Sequence, residues 1–380
     1  MTTHGPWDVI VAGLGAAGAS ALHALAMRGA RVLGLDRHAP PHALGSSHGR
    51  SRIIREAYFE DPRYVPLVQH AYTRWRALEA ATGASLLRET GGLMIGPPDG
   101  PLVRGALASA RLHGLPHERL DAGEVMARVP AFHLPEQHAA VFEPRAGMLD
   151  PERAIAATLA EAQRLGAQVA TAQPVLDWSA EGDAVSVATP SGRHHARRLV
   201  LALGPWMAGP LLRGVLPLTV ERNVLFWFSP PRPTDAFDAR RFPVFLHEFE
   251  AGRYWYGFPD TGDGVKVALH GGGAPSDADS LPRTVREPEI NYMSALLTRH
   301  LPAAAGALRE AVVCPYTNTP DGHFVLDHHP DHASVILASP CSGHGFKFAP
   351  AVGELIADLA LDQPSRFDRS LFAAKRFPRA

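Results

Sequence analysis

The 380-residue sequence is poor in several things, and each scarcity excludes something. It has two cysteines, Cys314 and Cys341, too few for a disulfide framework and suited to a reducing compartment. It has no excess of either charge: 37 Lys+Arg against 38 Asp+Glu give no electrostatic footprint for nucleic acid or an anionic membrane. No apolar run reaches the roughly 18 to 20 residues of a bilayer span. The opening "MTTHGPW" lacks a basic stretch followed by an apolar core, so no signal peptide is expected and a cytoplasmic location is. Lysine is scarce too: Lys266, Lys347 and Lys375 are the three among 37 basic residues. Arginine serves wherever a solvated charge suffices. A lysine between two phenylalanines in "CSGHGFKFAP" therefore points either to a compact ammonium aimed at one atom or to a snorkelling side chain at a helix start.

What is present describes an ordinary globular protein, 46% hydrophobic and 20% charged, long enough for two domains. The first 37 residues read as a βαβ unit: strand "DVIVAG", helix "AAGASALHALAMRG", strand "ARVLGLD". A loop rich in Pro, Gly, Ser and His follows, then a helix through "YVPLVQHAYTRWRALEAATG". "GGLMIGP" reads as a strand. The helix at 151–166, strands near 167–170 and 185–188, and a strand in "RRLVLALGPW" form another βαβ-like stretch. From Leu218 to His270 the chain turns to strands at spacings that suggest an antiparallel sheet. A helix near 291–300, the strand "SVILAS" and the helix "VGELIADLAL" close it. The pattern predicts an α/β chain of two interleaved domains, one Rossmann-like and one built on a mostly antiparallel sheet.

"GLGAAG" places Gly13, Gly15 and Gly18 directly after a strand and at the opening of a helix, with Asp36 ending the next strand. The glycines let backbone approach a pyrophosphate at the helix N-terminus, and the acid suits a ribose hydroxyl. The motif leaves FAD and NAD unseparated. Asp36 disfavours a ribose 2′-phosphate, although Arg37 beside it suits one.

"GSSHGRSRIIREAY", "CPYTNTPDGHF" and "SGHGFKF", in that order behind the glycine motif, resemble the monomeric sarcosine oxidase and N-methyltryptophan oxidase family of FAD-dependent amine oxidases. The resemblance spans essentially the whole chain. It implies FAD bound by segments 1–88, 150–217 and 318–380, and a substrate domain of 89–149 and 218–317. It implies a thioether from Cys314 to the flavin, a substrate-carboxylate clamp of Arg55 and Lys347, and Lys266 near flavin N5 assisting reaction with O2. Tyr256, His270, Tyr316 and His344 match pocket residues. Ser46, Ser51 and Arg52 match the loop along the cofactor, and Gly343, Gly345, Phe346 and Lys347 are expected cofactor-binding residues as well. The implied substrate is a secondary amino acid such as sarcosine, oxidised to an imine as O2 becomes H2O2 in a monomer. Cyclic imino acids and a dehydrogenase with another acceptor remain alternatives, as does, outside enzymes, a nicotinamide-binding regulatory protein. Pro315, Cys341 and Leu269 depart from the family pattern, and Leu246 and Cys341 are candidates for the pocket wall. A zinc site at Cys314, Cys341 and His344 is disfavoured because no compact four-ligand set appears. "DHHPDH" is expected as a solvated loop between strands.

Overall fold

The computed structural model describes residues 7–182, 184–212 and 214–378; residues 1–6, where the signal-peptide expectation falls, lie outside them. Trp7–Ala12 and Val32–Leu35 are short apolar runs, almost wholly buried, as strands covered on both faces must be. They pair in parallel, and Trp7–Ala12 also pairs in parallel with Gly192–Leu201. The far half of Gly192–Leu201 takes His332–Ser339 as a parallel neighbour, from Leu199↔Val335 to Leu201↔Leu337. Three helices pack near this sheet: Ala16–Met27, Pro151–Arg164 and Ala349–Ala360. Gly353 lets the first and third come close, since a Cβ there would lie 2.4 Å from Ser20 O.

The stretch expected to be βαβ-like differs in part. Gln168–Ala170 does join the sheet in parallel beside Val32–Leu35. Asp177–Glu181, Ala184–Thr189 and Gly192–Leu201 instead form an antiparallel meander, because connections this short along the chain cannot make a crossover.

The second large sheet has nine strands. Thr219–Phe228 lies one strand in from an edge, between Leu308–Asn318 and Val265–His270, and the sheet continues through Arg253–Gly257 and Val244–Glu250. Every pairing is antiparallel except Val244–Glu250 with Gly92–Gly96. A small third sheet was not legible in the sequence: Arg52–Ile54 and Leu87–Glu89 both pair with Gly147–Leu149. Three-residue strands are too short to show a period. Of "DHHPDH", Pro330 and Asp331 are the exposed turn between strands that was expected, while the flanking residues belong to the two strands of a hairpin and His329 is buried with its ring against Trp178.

No helix among the described residues is long and apolar enough to cross a membrane. Both large sheets contribute to the wall of one cavity of about 540 Å³.

Candidate active site

One end of the cavity is built by the glycine motif. Gly13 has φ +86°, and a Cβ on it would lie 2.5 Å from Ala202 O; one on Gly18 would meet Gly13 O at 1.7 Å. These two glycines close the strand onto the helix. A Cβ on Gly15 would meet only Ser47 Oγ, at 3.6 Å, so this residue leaves its face open to the cavity. Gly15 offers this helix no side-chain cap and Ser47 Oγ accepts the Ala16 N–H at 3.3 Å; a helix start of this kind favours an anion. Asp36 accepts the N–H of Leu14 at 2.7 Å and of His38 at 2.8 Å. Burial alone would raise its pKa; the hydrogen bonds from His42, His38 and Leu14 outweigh that and lower it. Arg37 lies over the Trp206 ring, and Arg37 and Trp206 both donate to Asp279 Oδ1, at 2.8 and 2.7 Å. That contact ties the segment after Ala274–Ser276 across this end of the cavity.

The middle of the cavity belongs to residues 46–52. Arg52 donates to Ser46 O at 2.8 Å and Ser51 O at 2.7 Å, and its Nη2 lies 3.5 Å from Cys314 Sγ. Cys314 is 1% exposed. Burial raises its thiol pKa, against the pull of Arg52, Lys266 and Arg283. Lys266 is 2% exposed, although simple strand alternation would turn it outward. Its Nζ donates to Gly49 O at 2.6 Å, Ser51 O at 2.8 Å and Ser51 Oγ at 3.1 Å, with the Phe258 and Trp227 rings alongside. Burial and then Arg52 lower its pKa well below the usual lysine value. Arg52 and Ser46 stand in the cavity wall, whereas Cys314, Lys266 and Ser51 lie just behind it.

The far end gathers the expected substrate residues. Lys347, in the single turn Phe346–Phe348, is buried and donates to His344 O at 2.8 Å. Burial and then repulsion from Arg55 bring its pKa down to about 7. His344 donates from Nε2 to Gly322 O at 2.9 Å, which leaves Nδ1 to accept the Tyr58 hydroxyl. Tyr256 and Tyr316 hydroxyls are 3.4 Å apart, and the His270 ring faces both. Burial holds His270 and His344 neutral, at pKa values of about 4 and 3. Gly343 has φ +76°, and a Cβ there would press within 2.6 Å of the Tyr316 ring. Gly345 sits against Pro340 O, only 1.6 Å from where its Cβ would be. Leu246 and Cys341 do line the wall.

Arg55 is not the bare cation its motif suggests. Its Nη2 makes two 2.7 Å bonds to the Glu60 carboxylate, its Nη1 donates to Ala57 O, and the guanidinium stacks on Tyr58 and Phe59. Burial would raise the Glu60 pKa, but Arg55, His344 and Lys347 pull it down to about 2. Sequence reasoning missed Glu60, although an acid five residues after a proposed clamp arginine was a readable signal. It missed Glu143 too, which accepts the N–H of Glu56 at 2.6 Å and of Ala57 at 2.8 Å; no local motif marks it.

The cavity fits a flavin dinucleotide on its own features. Its wall carries a helix start and a ribose-ready acid, Asp36, together with aromatic side chains edged by the cations Arg52, Arg55 and Lys347. Ser46 Oγ, His48 Nε2 and Thr317 Oγ1 are buried polar atoms without a partner, and Ser46 and Thr317 line the cavity. Buried polar atoms want partners, and a heteroaromatic ring system supplies them. Among the described residues no cluster of three or more His, Cys, Asp or Glu could hold a metal.

The chain is 41% identical over 378 residues to monomeric sarcosine oxidase of Streptomyces avermitilis, with 98% of each chain covered. It is 35% identical over 373 residues to N-methyl-L-tryptophan oxidase of Salmonella arizonae, covering 98% of this chain and 99% of that one. The fold superposes on the open form of NikD, an unusual amino acid oxidase essential for nikkomycin biosynthesis, with TM-score 0.85 and 25% identity over 97% of this chain and 98% of that one. The FAD dependent oxidoreductase model (DAO) matches residues 8–359, which decides between flavin and nicotinamide. Matched from its first strand to its last helix, the chain belongs to the DAO family of FAD-dependent oxidoreductases.

Proposed function

We propose that this protein oxidises secondary amino acids of the sarcosine or N-methyl amino acid type, forming an imine that water hydrolyses while O2 is reduced to H2O2. The observation that carries the reading is the pairing of two buried cations, Arg55 and Lys347, at the apolar end of a dinucleotide-sized cavity. Relatives named sarcosine oxidase and N-methyl-L-tryptophan oxidase support the substrate class. Bound FAD supplies the two-electron redox chemistry; the protein supplies orientation and electrostatics.

Gly13, Gly15, Gly18 and Asp36 hold the pyrophosphate and ribose, and Ser46, Ser51 and Arg52 follow the cofactor inward. Cys314 is the attachment point, with Arg52 as the cation beside its sulfur; a thiolate is the nucleophile in such bonds. Arg55 and Lys347 hold the substrate carboxylate, the guanidinium as a planar fork and the ammonium as a point charge. Glu60 already occupies the fork, so an incoming carboxylate either displaces it or docks on Lys347 beside it. Tyr256, Tyr316 and His270 shape the chamber around the amine; the neutral His270 can accept a hydrogen bond but adds no charge. Gly343, Gly345 and Phe346 set the turn that presents Lys347. Lys266 supplies positive charge to the oxygen half of the reaction. Segments 1–88, 150–217 and 318–380 form the cofactor domain and 89–149 with 218–317 the substrate domain of a cytoplasmic monomer.

The test is oxygen uptake and peroxide release with sarcosine, N-methyl-L-tryptophan, L-proline, L-pipecolate and glycine. Turnover of an N-methyl amino acid with stoichiometric peroxide is expected. Turnover confined to cyclic imino acids, or reduction of an artificial acceptor without oxygen uptake, would overturn the proposal.

A further inference from the structure

Glu152 belongs to no motif, yet it reaches the loop behind the cavity wall that also holds Lys266. It follows Pro151 at the start of Pro151–Arg164, a helix whose end is already capped by Asp150 through the N–H of Arg153. The Glu152 carboxylate is therefore free to leave its own helix. It crosses to residues 49 and 50: Oε1 accepts the Gly49 N–H at 2.6 Å, and both oxygens accept the Arg50 N–H, at 3.2 and 3.1 Å.

Gly49 has φ +95° and Arg50 φ +65°, two successive residues in the left-handed region. Successive N–H groups of strongly turned backbone can converge on one anion, and only the first of the two residues is a glycine that adopts this freely. The Arg50 N–H and the Gly49 carbonyl are the two ends of one peptide group. At one end sits the Glu152 carboxylate; at the other the Gly49 oxygen accepts Lys266 Nζ at 2.6 Å. Hydrogen bonds made by the two ends of one peptide strengthen each other.

We propose that Glu152 is a positioning residue for Lys266, fixing through the Gly49–Arg50 peptide the carbonyl that orients the ammonium. This rests on the assignment of Lys266 to the oxygen half of the reaction. Arg52, Arg50, His48, Cys314 and Glu152 are the charged or titratable groups facing Lys266, with the Trp227 and Phe258 rings. Of these, Glu152 carries the negative charge. Its loss frees a glycine peptide to flip and leaves two cations, Lys266 and Arg52, facing each other unbalanced, so the ammonium gives up its proton at lower pH.

The experiment uses the flavin-loaded protein and the variants E152A, E152Q, E152D, K266M and E152A/K266M. Hydrogen exchange by mass spectrometry follows peptides covering residues 47–53, and stopped-flow measures reoxidation by oxygen across pH. In E152A, exchange in that segment should rise and reoxidation should slow about tenfold, the scale of one lost charge-assisted contact. The pH midpoint of reoxidation should move down, E152D should recover part of each effect, and the double variant should be no slower than K266M. Should E152A not fold, E152Q, which keeps the shape without the charge, must show the same direction in exchange and midpoint. Wild-type exchange and reoxidation in the Glu152 variants, with K266M slow, overturn the proposal while sparing the role of Lys266. Wild-type reoxidation in K266M removes that role and the proposal together.

Discussion

Cys314 is buried with the Arg52 guanidinium 3.5 Å from its sulfur, a cation that favours the thiolate form. In Cys314→Ala the flavin should remain bound in the native protein and appear free in the supernatant after acid precipitation; flavin still in the pellet would place the link elsewhere. Lys266 makes a second residue-scale case. A unit charge at about 4 Å is worth on the order of 4 kcal/mol at an effective dielectric near 20, about a thousand-fold in rate. Lys266→Met should slow reoxidation by two orders of magnitude or more, and anaerobic reduction by no more than about tenfold; stopped-flow on the two half-reactions separates them. Lys347 gives the pH dependence. Only its protonated form attracts a carboxylate, and its pKa is lowered to about 7. The affinity of a simple carboxylate inhibitor should therefore be level below pH 7 and weaken as pH rises above it. In Lys347→Met the inhibitor should bind about ten- to a hundred-fold more weakly, for a lost contact of about 1.5 to 3 kcal/mol, and the weakening above pH 7 should vanish. Titrating the inhibitor across pH in both proteins checks this.

At the scale of elements, the turn 55–58 is held by Glu143 on the strand Ala139–Glu143, whose carboxylate takes the N–H groups of Glu56 and Ala57. Burial raises its pKa from 4.5 to about 7, more than those hydrogen bonds lower it. Between these values the folded chain binds a proton that the unfolded chain releases, so this contribution is full below pH 4.5 and fades as pH rises through 7. Thermal unfolding of Glu143→Gln, which cannot ionise, should depend less steeply on pH across that window; an unchanged slope would show that Glu143 is charged throughout. This turn also marks how far the sequence was legible. The first βαβ unit, the antiparallel run from Thr219 and the glycine motif all rest on local periodicity, and the fold follows them. Arg55 and Lys347 were found by motif and do share the cavity. Glu60 sits five residues from Arg55 and was within reach of a local reading, whereas Glu143 and Glu152 were missed because their partners lie about a hundred residues away along the chain. The three-residue strands of the small sheet went unseen for the same reason, their pairing being wholly long-range.

For the whole molecule, the contact of Asp279 with Arg37 and Trp206 is one of those that fasten the segment after Ala274–Ser276 to the nucleotide end of the cavity, beside Arg283, which donates to Leu44 O at 2.7 Å. Arg37 and Asp279 are 40% and 61% exposed, so solvent screens the pair and its worth is about 1 kcal/mol or less. In a Cys314→Ala background, Asp279→Asn should release FAD a few-fold faster, about threefold, for a pair of that strength. Recovery of flavin fluorescence after dilution measures it, and an unchanged rate would mean the contact is no fastening. The strand order has a consequence in time. Trp7–Ala12, made first, pairs early with Val32–Leu35 but finds its neighbour on the other edge only when Gly192–Leu201 exists, and that strand in turn waits for His332–Ser339. The helix Ala349–Ala360 then closes against Ala16–Met27. Contacts this distant along the chain form late, and chains of this size pass through partly folded states that expose unpaired edges. A nascent chain on the ribosome thus has the glycine turn long before it has a cleft, so cofactor loading belongs to the finished polypeptide, and a chain broken off before residue 332 should be cleared rather than charged with flavin.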